Sequence, residues 1–169
     1  MIAAFIGHRK INETPDFYDR LKAVISELII SNNIDTCLFG NKGEFDNICW
    51  QCVTEIQSNA SYPKRIYVRA EYPYIDDNYK KYLLSFYEDT FFPQKIINSG
   101  RACYIERNCF IIDQADICIF YYDYAYSRLF NIKKNCSLFN TYGGTAKAYS
   151  YAIRKNKYIV NLFDVLNSR

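Results

Sequence analysis

Three short polar motifs follow apolar, strand-like runs, and this placement constrains the fold more than any other feature of the chain. One run leads into Gly7-His8-Arg9 and a second into Gly40-Asn41-Lys42-Gly43-Glu44-Phe45-Asp46. A third leads, after an interruption, to Tyr142-Gly143-Gly144-Thr145. In a parallel α/β sheet, the loops that follow the strands share one edge and line the ligand crevice. We therefore expect three segments that are far apart in sequence to meet at one site.

Apolar runs of strand length alternate along the chain with segments of helical periodicity. The five predicted strands are Ile2–Ile6, Thr36–Phe39, Arg65–Arg69, Asp116–Tyr121 and Tyr158–Leu162. One helix is predicted to begin at Thr14-Pro15-Asp16, with Thr14 as N-cap, and a second near Phe45-Asp46. Three further helices are predicted over Asp77–Phe86, Arg101–Asp113 and Gly144–Lys155. This alternation indicates an α/β fold, a Rossmann-like doubly wound parallel sheet of about five strands with helices on both faces. With the first strand central, the switch point lies between the first and fourth predicted strands.

Length and composition favour one domain over residues 1–169, with 122–141 as an insertion loop. The chain has 169 residues, half of them apolar, and no Gly/Ser/Pro-rich linker. We find no membrane-spanning window and no signal peptide, and therefore expect a cytoplasmic protein. Net charge is +3, from 21 basic and 18 acidic residues. That balance argues against nucleic acid as a partner, because binding to the phosphate backbone relies on clustered cations. The pairs Lys133-Lys134 and Arg154-Lys155 leave single-stranded DNA binding as a weaker alternative.

The cysteines predict core packing rather than metal chemistry. Seven are present, and Cys49-Trp50-Gln51-Cys52 matches C-x-x-C. No second such pair exists, and His8 is the chain's only histidine, whereas a zinc site needs about four ligands. We expect neither a metal nor another cofactor.

Two glycine motifs suit a phosphate. Gly40-x-x-Gly43 and Gly143-Gly144-Thr145 each precede a helix, where bare backbone N–H groups and the positive helix end attract anions. Glu44 and Asp46 either cap their helix or bind ribose hydroxyls. The Thr145 hydroxyl either caps its helix or binds a phosphate.

Other side chains could complete the site. Arg9 can form a fork with phosphate, and Arg107-Asn108 precedes a strand. His8 is an acid–base candidate, although a lone histidine more often has a hydrogen-bonding role. The cluster Tyr121, Tyr122, Tyr124 and Tyr126 either packs structurally or forms an aromatic wall that stacks on a base.

The order of these motifs resembles that of the SLOG superfamily, which includes DprA and the Lonely Guy enzymes, and is closest to its small YpsA-like branch. The matching residues are Gly7-His8-Arg9, Gly40 through Asp46, Arg107-Asn108 with Ile112-Asp113-Gln114-Ala115-Asp116, Gly143-Gly144-Thr145, and Ala152 with Lys157 through Leu162. The likeness omits 70–100 and 122–140.

The resemblance implies a Rossmann-like fold, a nucleotide-derived ligand, frequent homo-oligomers and a setting in bacterial and phage conflict. Lonely Guy enzymes hydrolyse an N-glycosidic bond with an Arg, matched here by Arg107, and a Glu after the Gly-Thr turn. Ala148 stands at that second position, and Ala146 and Lys147 precede it, so no acid lies on the turn.

The main prediction is a sensor or sequestering protein for an ADP-ribose or cyclic-nucleotide type of signal. The alternative is a phosphoribohydrolase-like enzyme that uses Glu44, so whether the protein is an enzyme stays open. The predicted ligand-binding residues are Gly7, His8, Arg9, Gly40, Asn41, Lys42, Gly43, Glu44, Asp46, Arg107, Asn108, Tyr142, Gly143, Gly144 and Thr145.

Overall fold

A parallel sheet organises the chain in the computed structural model, which describes residues 1–11, 14–57, 62–125 and 143–167. Its strands within those ranges are β1 (Ile2–Gly7), β2 (Thr36–Phe39), β3 (Lys64–Val68), β4 (Asp89–Phe91), β5 (Ile117–Tyr121) and β6 (Tyr158–Asn161). Their order is β4-β3-β2-β1-β5-β6, with every neighbouring pair parallel. The register places Ala4 of β1 between Leu38 and Cys118.

Helices cover both faces of this sheet. They are α1 (Phe17–Ser31), α2 (Glu44–Gln57), α3 (Asp77–Leu84), α4 (Cys103–Gln114), α5 (Gly144–Arg154) and α6 (Leu162–Asn167). Two short 3-10 turns, Gln94–Ile96 and Gly100–Ala102, precede α4. Alternate residues of β1 point to opposite faces: Phe5 packs with α1, α2 and α6, whereas Ala4 packs with α4 and α5. Burial on both faces explains why the strands read as continuous apolar runs.

The predicted α/β architecture is confirmed, with one strand more than the five expected. The sequence reasoning missed β4 because three residues, Asp89-Thr90-Phe91, are too few to show an alternating pattern. The predicted switch point is confirmed, since β1 lies between β2 and β5.

The predicted start of the first helix is wrong. Thr14 does not cap it: its hydroxyl donates to the Asp16 carboxylate at 2.8 Å, and the Phe17 amide donates to the Thr14 carbonyl at 2.9 Å. These two bonds form a turn, and the helix begins at Phe17. The helix ends at Ser31, and Asn33, with a φ of 49°, lies in the left-handed region just beyond it.

Cys49 and Cys52 are fully buried in the core, as predicted. In the described ranges, no cluster of His, Cys, Asp and Glu has the arrangement of a metal site. Among those same residues, no helix is long and apolar enough to cross a membrane. Residues 126–142, most of the predicted insertion, lie outside the described ranges.

Glu88 attaches the short edge strand β4 to β3. Its carboxylate accepts from the Arg65 backbone amide at 2.6 Å and from Arg65 Nη2 at 2.6 Å. The Glu88 amide in turn donates to the Arg65 carbonyl at 2.9 Å. Burial raises the pKa of Glu88, but the hydrogen bonds from Arg65 outweigh it and leave the pKa below the usual 4.5.

We expect Glu88→Gln to lower the free energy of unfolding at pH 7 by about 1 kcal/mol, because partial exposure screens the ion pair. Because the folded-state pKa is lowered, the wild-type advantage is present above pH 4.5 and is lost as the pH falls through the folded-state value. Urea denaturation across pH checks this, with Glu27→Gln on the exposed face of α1 as the control. A difference that persists at the lowest pH would contradict the assignment.

Candidate functional site

The strand order reverses between β1 and β5, and a doubly wound sheet places its ligand crevice at the carboxyl ends of the two strands at such a switch point. Gly7 ends β1 and His8 follows it, and Tyr122 and Asp123 follow β5. The His8 amide donates to the Tyr121 carbonyl at 3.3 Å, which continues the pairing of the two strands past the end of β1. The first sequence motif therefore lies directly beside the residues that follow β5, as the order of strands requires.

Thr145 ties the start of α5 to the end of β1. Its buried hydroxyl donates to the Gly7 carbonyl at 2.8 Å. The two preceding glycines are exposed, and a Cβ added to Gly143 or Gly144 would meet nothing within 4 Å. The described residues therefore give no packing reason for glycine at these two positions, and they leave the N-terminus of α5 open to a ligand.

Protein side chains cover the other glycines of the predicted site. A Cβ on Gly7 would lie 2.3 Å from the Phe45 ring, and one on Gly40 would lie 2.5 Å from the Arg107 guanidinium. Gly43 has a φ of 109°, and a Cβ there would lie 2.7 Å from the Arg9 Cα. At these positions the missing side chain makes room for another part of the protein. This differs from the expectation that Gly40-x-x-Gly43 presents bare backbone to a phosphate.

Arg107 is buried beneath the loops that follow β2 and β3. Its Nη1 donates to the carbonyls of Gly40 and Val68 at 2.5 and 3.0 Å, and its Nε donates to the Asn108 side chain at 3.0 Å. Burial lowers the pKa of the guanidinium, and the Asp46 carboxylate opposes that shift. Arg107 and Asn108 therefore serve the local structure at this position.

The acidic residues of the second motif are also engaged. Glu44 is exposed and accepts from the Ile11 amide at 2.9 Å. Asp46 Oδ2 accepts from the Lys42 amide at 2.7 Å, whereas its buried Oδ1 has no hydrogen-bond partner among the described residues. Burial raises the pKa of Asp46. Asp46 thus closes the turn at the start of α2, with one oxygen unsatisfied.

Lys42 and Asn41 stand at the outer side of this turn. Lys42 Nζ donates to the Tyr104 hydroxyl at 3.0 Å and lies 4.7 Å from the centre of that ring. Asn41 is exposed with a φ of 50°. Arg9 is exposed, and its guanidinium makes no hydrogen bond or ion pair within the described part of the chain. It is the one arginine of the predicted site that stays available to a ligand.

An aromatic cluster lies beside the crevice. The ring centres of Tyr122 and Tyr149 are 4.8 Å apart, those of Tyr122 and Tyr124 are 4.9 Å apart, and the His8 ring lies 5.7 Å from Tyr122. Tyr124 is 52% exposed. The sequence reasoning missed Tyr149. Its position one helical turn after Thr145 could have indicated that it belongs to this cluster.

Asn161 fixes this cluster from below. Its side chain accepts from the Tyr122 amide and donates to the Tyr122 carbonyl, both at 2.9 Å. It also donates to the Asp164 carboxylate at 2.9 Å. No sequence pattern indicates this role, because Asn161 ends an ordinary apolar strand. Tyr142 and Tyr126 lie outside the described residues.

A separate groove of about 530 Å³ lies between α4 and α5. It is lined by Lys95, Ile105, Glu106, Cys109, Lys147, Ser150, Tyr151 and Arg154. None of these is a predicted site residue, so the crevice at the strand ends and this groove are distinct.

No protein-family model matches this chain, and no curated protein resembles it significantly. The resemblance to the SLOG superfamily therefore stays a prediction.

We expect the stability of the protein to respond differently when alanine replaces a crowded glycine and when it replaces an exposed one. Gly7→Ala should lower the free energy of unfolding by about 1–3 kcal/mol, because the new Cβ overlaps the Phe45 ring. Gly144→Ala, the matched control in open space, should leave stability unchanged or raise it by up to about 1 kcal/mol. Urea denaturation measures both, and equal losses would contradict this division.

His8 is buried, and its Nε2 accepts from the Asp123 amide at 3.0 Å, which requires the unprotonated nitrogen. Burial lowers the pKa of His8 below 6.5, although the Asp123 charge opposes this. Because it is the only histidine, its imidazole resonances can be followed directly by NMR. We expect a titration midpoint below 6.5.

The stability that His8 contributes should be present above pH 6.5 and be lost as the pH falls through its folded-state pKa. His8→Gln should remove this part of the pH dependence. A midpoint at or above 6.5 would show that the buried, accepting imidazole is wrongly assigned.

Proposed function

We propose that this protein binds a nucleotide-derived small molecule in the crevice between the β1 and β5 ends, as a sensor or a sequestering protein. The observation that carries the proposal is the open start of α5 at Gly143-Gly144. The hydrogen bond from Thr145 to the Gly7 carbonyl holds this helix start next to the end of β1, on the same side as the tyrosine cluster. Backbone N–H groups suit a phosphate, and an adjacent aromatic surface suits a base.

Three side chains have distinct roles in this proposal. Arg9, exposed and unpaired in the described ranges, supplies the cation that pairs with a phosphate. Tyr124 is 52% exposed and supplies a stacking surface. Tyr149 supports it from α5, with ring centres 6.2 Å apart and edge-on geometry.

The resemblance to the SLOG superfamily supports an ADP-ribose or cyclic-nucleotide type of signal and a role in bacterial or phage conflict. The working form that we propose is a cytoplasmic homo-oligomer. Six cysteines in the described ranges are free thiols, which supports a reducing compartment.

The alternative of N-glycosidic hydrolysis needs a carboxylate that reaches the scissile bond. The contact of Glu44 with the Ile11 amide gives that residue a structural partner, and within the described ranges no other contact of Glu44 favours catalysis. We therefore retain hydrolysis only as an outcome of the binding experiment.

The test is a thermal-shift screen against nucleoside phosphates, NAD, ADP-ribose and cyclic nucleotides, followed by chromatography of each mixture. A ligand that binds only the folded state raises the melting temperature. Recovery of the intact ligand supports a sensor or sequestering protein, whereas products would establish an enzyme. No shift with any of these compounds would overturn the proposal.

For the best ligand, we expect Arg9→Ala to weaken binding about 10-fold or more, since a charged hydrogen bond contributes about 1.5–3 kcal/mol. Tyr124→Ala should weaken it to a similar degree through lost stacking. The matched controls are Arg101→Ala and Tyr158→Ala, which alter exposed residues of the same types away from the crevice. Equal effects of site and control variants would contradict this placement of the ligand.

A further inference from the structure

The groove between α4 and α5, here called the α4–α5 groove, lies on the outer side of these two helices. Glu106 and Cys109 on α4, and Lys147, Tyr151 and Arg154 on α5, line it at helical spacings of three or four residues. Its volume of about 530 Å³ is typical of small-molecule sites. Arg154 ends α5 and lies about 15 Å along the helix from its start at the crevice, so the two places are separate.

Contacts between the two helices hold the walls of this groove in place. Beneath it, Ile112 of α4 and Ala148 and Ala152 of α5 are buried in one hydrophobic cluster. The Tyr151 hydroxyl of α5 donates to the Asp113 carboxylate of α4 at 2.9 Å, which ties the helices together. A site whose walls are already ordered loses little conformational entropy when it binds a ligand.

Cations dominate the lining of the groove. Lys95, Lys147 and Arg154 are opposed there by one acid, Glu106. Lys95 already pairs with Asp113, at 3.0 Å. The side chains of Lys147 and Arg154 make no hydrogen bond or ion pair with any residue in the described ranges. These two cations are therefore available to an anionic ligand.

Arg154 is positioned by an aromatic ring. Its guanidinium lies 5.6 Å from the centre of the Tyr151 ring, and Lys155 Nζ lies 5.3 Å from the same centre. Such cation–π contacts favour a defined position for a long, exposed side chain. A guanidinium presents its N–H groups as a planar fork that matches two oxygens of a phosphate. Arg154 is thus suited to bind a phosphate group.

Cys109 lies among these charges without being an activated nucleophile. Burial raises the pKa of its thiol, Glu106 and Asp113 raise it further, and Lys95 and Arg154 offset only part of this. A reactive cysteine needs a lowered pKa, so the groove is suited to binding rather than to thiol chemistry. Because all four charges act on one thiol, Lys95 and Arg154 approach the same part of the groove.

The remaining polar groups suit hydroxyl groups on a ligand. The Glu106 carboxylate and the Ser150 hydroxyl make no hydrogen bond within the described part of the chain. A carboxylate accepts hydrogen bonds from hydroxyls but repels further phosphates. Ile105 and the Tyr151 ring add apolar surface against which a carbon skeleton can pack. One phosphate-binding end and one hydroxyl-binding part together match a phosphorylated sugar.

We propose that the α4–α5 groove is a separate ligand site that binds a sugar phosphate. Arg154 and Lys95 hold the phosphate, Lys147 adds positive charge, and Glu106 and Ser150 bind the hydroxyl groups of the sugar. This inference does not depend on the ligand proposed for the crevice, because different residues carry it.

Isothermal titration calorimetry with ribose 5-phosphate, glucose 6-phosphate and fructose 1,6-bisphosphate tests the proposal. The best of these should bind at least about 10-fold more tightly than inorganic phosphate or the free sugar, because it makes both sets of contacts. Arg154→Ala should weaken its binding about 10-fold or more through the loss of a charged hydrogen bond. The matched control is Arg101→Ala, which alters an exposed arginine outside the lining.

Two outcomes of this titration would overturn the proposal. One is that none of the three sugar phosphates binds the wild-type protein. The other is binding that is weakened by Arg9→Ala and not by Arg154→Ala, because the ligand would then lie in the crevice. Circular dichroism establishes that each variant is folded.

Glu106→Gln tests the hydroxyl contacts. The change removes a charge that repels phosphate, so the affinity for inorganic phosphate should be unchanged or rise. It also removes a charged acceptor, so the affinity for the sugar phosphate relative to inorganic phosphate should fall about 3-fold or more. An unchanged ratio would overturn the role of Glu106. Tighter binding of a single-stranded oligonucleotide, falling steeply with salt, would identify nucleic acid as the occupant and overturn the proposal.

Discussion

The buried guanidinium of Arg107 determines how the carboxyl edge of the sheet is arranged. A buried cation is costly unless hydrogen bonds satisfy it, and Arg107 meets this need with the carbonyls of Gly40 and Val68. Those two carbonyls end or follow β2 and β3, so one side chain from α4 fixes the neighbouring strand ends. The close contact also requires glycine at position 40.

Because these contacts close the carboxyl edge of the sheet at β2 and β3, the accessible part of that edge lies at β1 and β5. Arg107 fills the space above β2, and the Phe45 ring covers Gly7. The turn that holds Asp46 closes the start of α2 over its own backbone. Of the glycines in the three sequence motifs, Gly143 and Gly144 at the start of α5 are the ones that no other described residue crowds, and they lie beside a cluster of tyrosines. The two glycine motifs, which look equivalent in sequence, therefore have different physical roles.

The strands, their order and the switch point could be predicted because long apolar runs and their alternation with helices are local patterns. The strand β4 could not, since three residues carry no periodicity and pairing with β3 depends on Arg65 and Glu88. The role of each glycine could not be predicted from the sequence either. Whether a missing side chain makes room for a ligand or for Phe45 depends on contacts between residues 38 positions apart, which no local pattern reports.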